Sequence, residues 1–216
     1  SNFPWYEGRD RQRALTPTVF ERFGRGGAGA GAGLVTGNTV FMDSQGASLY
    51  PGYDGFGAHE PVDLVVSREV DTALVDGVFE DLAAHDRRLV LVNLHEADKD
   101  AHAARESEYV SGIGREDLLV HAMVNTVGQE GDAWLVLADH GRHLEDRWPG
   151  HGDACAGCRR SWLVAWGAGI RSDGARLPGN AELADIAPTI AALLGTDLPH
   201  ARGRVLDEIL ATPTGT

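Results

Sequence analysis

Runs and periods of apolar residues divide the chain into alternating strand-like and helix-like segments. Residues 34–41 and 88–94 are short apolar runs, and so is the stretch from Trp134 to Ala138 within 134–140. Runs of this length closed by polar residues read as strands buried on both faces. A fourth strand is predicted at 162–166, closing at Gly167. Residues 63–86 carry Val66, Val70, Leu74, Val78, Phe79 and Leu82 at helical spacing, with a polar opposite face. A second helix is predicted over 101–127, with Tyr109, Ile113, Leu118, Leu119 and Met123 among its apolar positions. A third spans 182–194 and stops at Gly195; Pro188 inside it must occupy a first turn or kink the helix. Residues 16–23 open with a capping threonine and a proline at the first helical position, which predicts a short helix. The strand, helix, strand order across 88–140 needs a crossover and favours a parallel pair. The fold class that follows is α/β, one doubly wound domain over residues 1–216, with a mostly parallel sheet and helices on both faces.

Between these elements the pattern breaks. Residues 1–15 show no clear period, and 24–33 are nearly all glycine and alanine, a connection without side chains to pack. Gly24, Gly26 and Gly29 match a dinucleotide fingerprint in spacing alone: that motif must follow a strand and open a helix, and here a helix precedes it and a strand follows. Residues 43–61 read as a long surface loop.

Composition narrows the partners. With 216 residues, 43% of them hydrophobic, the chain is long enough for one sizeable core. The net charge of −13 makes a surface that repels nucleic acid, so no nucleic-acid binding is expected. No apolar stretch approaches a membrane span and no basic-then-apolar leader opens the chain, which suggests a soluble protein; a periplasmic or secreted location is compatible with this. Cys155 and Cys158 are the only cysteines, too few for a disulfide scaffold. They read as a local disulfide or two inert thiols, ahead of a third metal position.

The polar residues at the ends of the predicted strands carry the candidate chemistry. Asp98 and His102 stand four apart at a strand exit, so both face one way if a helix begins there. Asp139 and His140 close the strand at 134–140, and His151 sits between glycines in a loop. Each group alone serves equally as a helix cap or a solvated histidine. Together they offer carboxylate oxygens and imidazole nitrogens to divalent cations, and two close cations clamp the attacking and leaving oxygens of a displacement at phosphorus or sulfur. Arg142 and His143 are placed to bind an anion or to be solvated.

The order of these residues, followed by the run Asp185-Ile186-Ala187-Pro188-Thr189 and then Leu193-Leu194-Gly195, resembles the second half of the alkaline phosphatase superfamily, which includes type I phosphodiesterases, sulfatases and phosphomutases. The likeness covers roughly residues 85–210, with a weaker echo at 16–21. It implies an alkaline phosphatase-like fold and two divalent metal ions, with zinc the expected metal. Asp98, His102 and His151 would hold one ion, and Asp139 and His140 would contribute to the other. The implied activity is hydrolysis of a small-molecule phosphate or sulfate ester. Family members carry an aspartate on the first strand and a threonine, serine or formylglycine nucleophile upstream of the region matched by 16–21, and neither is found here; Thr36, Thr39 and Ser44 come too late in the order. The catalytic nucleophile is therefore unassigned, and truncation of an N-terminal strand and nucleophile segment is the expected reason. The alternative is a non-catalytic metal-binding or interaction domain derived from the same fold. Neither ester class nor oligomeric state can be read from these residues.

Overall fold

The computed structural model describes residues 18–22, 37–42, 64–152, 155–177 and 179–212. The glycine-alanine connection, the loop at 43–61, residues 1–15, Thr36 and Ser44 lie outside the described residues.

Three parallel strands form one sheet in the order β2-β1-β3: β1 (Gly37–Met42), β2 (Leu64–Ser67) and β3 (Arg87–Val92). Val40 and Phe41 of β1 point to opposite faces, and both are fully buried, as the central strand of a parallel sheet requires. The segment expected as one helix over 63–86 is instead β2 followed by helix α2 (Asp71–Ala84). Residues 64–67 pair in parallel register with β1, so the helix period begins only at Asp71.

Leu74, Val75 and Val78 of α2 pack on Phe41 together with Met123, each burial contributing about 1.5–3 kcal/mol. The helix expected over 101–127 is two helices, α3 (Glu96–His102) and α4 (Glu106–Val127), broken at Ala104, whose φ is 55°. Leu119 and Val120 of α4 reach the Phe41 cluster. Ile113 and Leu118, expected on its apolar face, are 48% and 67% exposed.

Strand β4 (Ala133–Leu137) pairs with β5 (Leu163–Gly167), and the pairing is antiparallel. This corrects the parallel pairing expected between the strands at 88–94 and 134–140. A crossover dictates parallel strands only when the two share a ladder, and β4 takes as its partner the strand that returns after the loop 138–162. The strand is also half-buried rather than buried on both faces. Trp134 stacks on Trp166 across the ladder, centroids 6.0 Å apart, and reaches the Phe41 cluster.

At the C-terminal end a 3-10 turn (Leu183–Asp185) runs into α5 (Ile186–Leu193), against which α1 (Val19–Arg22) packs. Pro188 falls in the first turn of α5, where its missing N–H costs nothing, and Gly195 ends the helix with φ 73°. Ile170, Leu206 and Ile209 form a second apolar cluster beside it.

Candidate functional site

The site lies beyond the carboxyl ends of β3 and β4, where α3 and the loop after β4 meet. Helix α3 begins at Glu96, and its first N–H groups have no partners within the helix. Carboxylates from two other helices meet them. Asp71 accepts hydrogen bonds from His95 N at 3.0 Å and Glu96 N at 3.0 Å, and Glu116 Oε1 accepts one from Ala97 N at 2.9 Å. In return Asp71 N donates to Glu96 Oε2 at 3.0 Å, so α2 and α3 cap each other. This fixes α3 and with it Asp98 and His102, one turn apart. Sequence reading missed Asp71 and Glu116, because a buried acid that caps a neighbouring helix leaves no local pattern.

Glu116 stands in a crowd of acids. Burial, opposed by the Ala97 N–H and reinforced by the nearby Asp71 and Glu96, pushes its carboxyl from 4.5 up to about 7.

Asp98 is the hub. His102 Nε2 is 3.4 Å from its Oδ2, and His151 Nε2 is 3.7 Å from its Oδ1. The two Nε2 atoms lie 2.8 Å apart. His140 stacks on His151 with centroids 3.8 Å apart and planes at 22°. One donor atom from each of Asp98, His140 and His151 falls within 4.8 Å of the others. Thus His140, assigned by resemblance to a second ion with Asp139, sits with the Asp98 group in this structure. The Asp139 side chain is 80% exposed and meets His140, Oδ2 to Nε2, at 3.5 Å. Burial and the neighbouring His140 hold the His151 imidazole below its ordinary pKa, against the pull of Asp98.

Arg142 and His143 behave differently from the anion-binding or solvated roles expected of them. The Arg142 guanidinium pairs with Asp98 Oδ1, donates to Pro149 O at 2.8 Å and lies over the Tyr109 ring. His143 turns away to Cys155 and Cys158, its Nδ1 lying 3.4 and 3.3 Å from their sulfurs. Those sulfurs are 2.9 Å apart, so no disulfide joins them.

The Asp185–Thr189 run, the most specific part of the resemblance, builds scaffold. Buried Asp185 accepts from Glu182 N and Arg204 N, each at 2.9 Å. Fully buried Thr189 donates to Asp185 O at 2.6 Å and accepts from Leu206 N at 2.9 Å. A Cβ on Gly203 would lie 2.0 Å from Ala184 O, which shows how closely the C-terminal segment is drawn onto this turn.

Comparison with known proteins agrees with this architecture. A 2,3-bisphosphoglycerate-independent phosphoglycerate mutase of Picosynechococcus is 32% identical over 124 residues, covering 52% of this chain and 22% of the relative. GPI ethanolamine phosphate transferase 1 of Yarrowia lipolytica is 30% identical over 107 residues, covering 46% of this chain and 11% of the relative. The chain therefore matches about a fifth and about a tenth of the length of these two proteins. The structure of a Leishmania mexicana phosphoglycerate mutase at low cobalt concentration superposes with a TM-score of 0.55 at 17% identity, covering 79% of this chain and 37% of that one, which shows a shared fold. No helix among the described residues is long and apolar enough to cross a membrane. The Metalloenzyme superfamily model matches residues 60–198, and the chain belongs to that superfamily, the alkaline phosphatase-like group its motifs resemble.

Proposed function

We propose that Asp98, His102, Asp139, His140 and His151 hold divalent cations in a site for phosphoryl-type group transfer, two ions in all, with water as acceptor in the hydrolysis expected from the sequence. The observation that carries this reading is the convergence of Asp98 of α3 with His140 and His151 from the two ends of the loop segment 140–151, their donor atoms lying within 4.8 Å of one another. One carboxylate among imidazoles is a donor set suited to zinc, and cobalt or manganese would also accept it. Bound there, a cation would act as a Lewis acid toward an ester oxygen and lower the pKa of a coordinated hydroxyl or water.

The protein's own groups prepare the site. The depressed pKa of His151 keeps its imidazole neutral, the form in which nitrogen can ligate. Stacking with His140 fixes the plane of both rings. Arg142, paired with Asp98, orients its carboxylate. Exposed Asp139 remains accessible to a second ion. Two relatives named for phosphate-bearing groups favour a phosphorus ester over a sulfate ester as the small-molecule substrate. The parallel strands and the structural neighbour support one doubly wound domain with helices on both faces of its sheet.

The test is metal content after dialysis and zinc add-back, measured for the chain and for His151→Ala, alongside turnover of p-nitrophenyl phosphate, its diester and p-nitrophenyl sulfate. The expected result is bound metal that His151→Ala lowers without loss of cooperative unfolding, with turnover confined to the phosphorus esters. An unchanged metal count in the variant removes His151 from the site. Metal without turnover favours the binding-domain alternative.

A further inference from the structure

Outside this group, His143, Cys155 and Cys158 bring two sulfurs and a nitrogen together, sharing no residue with the Asp98 cluster. We propose that they form a separate zinc site that clamps the loop carrying Arg142 and His151.

The distances carry the argument. A tetrahedral zinc with Zn–S near 2.3 Å and Zn–N near 2.0 Å sets S···N edges of about 3.5 Å and an S···S edge of about 3.8 Å. The two His143 Nδ1 edges, 3.4 and 3.3 Å, already match. The sulfur pair, 2.9 Å apart, need only open to admit the ion. A disulfide would require the sulfurs to close to about 2.05 Å and would have no use for an imidazole nitrogen set evenly between them.

The backbone is shaped for the same purpose. Cys158 N points its hydrogen at Cys155 Sγ from 3.1 Å, a contact that a metal-bound, negatively charged sulfur accepts best. Arg159 N donates to Cys155 O at 3.1 Å, which closes the turn between the cysteines and brings both side chains to one side. Gly141 N then holds Cys158 O at 3.0 Å. Glycine is needed on both sides of this seam: a Cβ on Gly141 would lie 2.1 Å from Gly157 O, and one on Gly157 would lie 2.1 Å from Arg142 O. Cys158 is buried, while Cys155 and His143 are half-buried; among the described residues these three would be the protein ligands, with one position of a tetrahedral ion left beyond them.

His143 also ties the site to its surroundings. Its N–H donates to Gly150 O at 3.0 Å, and its ring packs against Gly150, the residue before His151. A cation on His143 would therefore hold the loop 143–150 shut.

The experiment loads reduced, dialysed chain with zinc alone and, in parallel, with cobalt(II), comparing wild type with Cys155→Ser/Cys158→Ser, His143→Ala and Asp98→Ala. The expected result is that the double-serine variant loses one zinc per chain. Zinc should shield both wild-type thiols from a disulfide reagent, and cobalt should give a thiolate-to-metal charge-transfer band. Asp98→Ala should keep that band and His143→Ala should weaken it. The wild-type band and thiol shielding need no variant to fold. Equal zinc in the double-serine variant, thiols that react as fast with zinc as without it, or absence of the band would each overturn the proposal.

Discussion

Glu116 is a carboxyl group that the fold asks to remain protonated. Its folded-state pKa of about 7 lies above the ordinary 4.5, so the folded chain binds this proton more tightly than the unfolded one. The stability it confers is full below pH 4.5 and falls as pH rises through about 7. Glu116→Gln keeps the carbonyl that accepts Ala97 N–H and removes the titration. The variant is expected to melt higher than wild type above about pH 8 and to converge with it in acid, as followed by thermal unfolding across pH. A difference independent of pH would show that the carboxyl is not responsible. Single residues also mark the limit of what could be read beforehand. Asp98, His102 and His151 stood out by residue type and position, and the fold gathers them. Asp71, Glu116 and the swing of His143 toward the cysteines did not, because each depends on a contact between distant segments.

At the level of elements, the placement of Asp98 depends on how closely α3 can approach α4. Gly112 makes the approach: a Cβ there would already lie 3.2 Å from Ala97 Cα. Gly112→Val is expected to cost about 1–3 kcal/mol in denaturant unfolding, as overpacking does. It should also weaken metal retention by moving α3, whereas an exposed change such as Gly114→Ala, with nothing within 4 Å, should leave retention intact. Retention unaffected by Gly112→Val would separate the site from this helix contact. Helix period was legible here, because α2 and α5 each bury a face that repeats in the sequence; β3 was legible from the length of its apolar run, although it is half-buried, with Leu91 exposed, rather than buried on both faces. The β2 strand was merged into α2, since its three apolar residues, Leu64, Val65 and Val66, fit either period. The partner of β4 was misjudged because ladder pairing is decided by the fold around the strand.

Over the whole molecule, the charge of −13 favours cations and disfavours anions. Apparent affinity for a divalent metal is therefore expected to fall as salt rises from about 0.01 M to about 1 M, over which the screening length shrinks from about 30 Å to about 3 Å. Calorimetric titration at several ionic strengths would measure this, and a flat response would mean that only the immediate ligands matter. An anionic ester meets the opposite field, so its capture would rest on bound metal.

The His143 N to Gly150 O bond makes a small lasso of residues 143–150. A ligand of the sulfur group stands at one end of it, and His151, from the carboxylate-imidazole group, directly follows the other. Whatever tightens the lasso from one end spares the other end part of the entropy of ordering. Were cations to occupy both groups, any coupling through this lasso would be reciprocal: if filling one strengthens binding at the other by some factor, the second strengthens the first by the same factor, whichever metal arrives first.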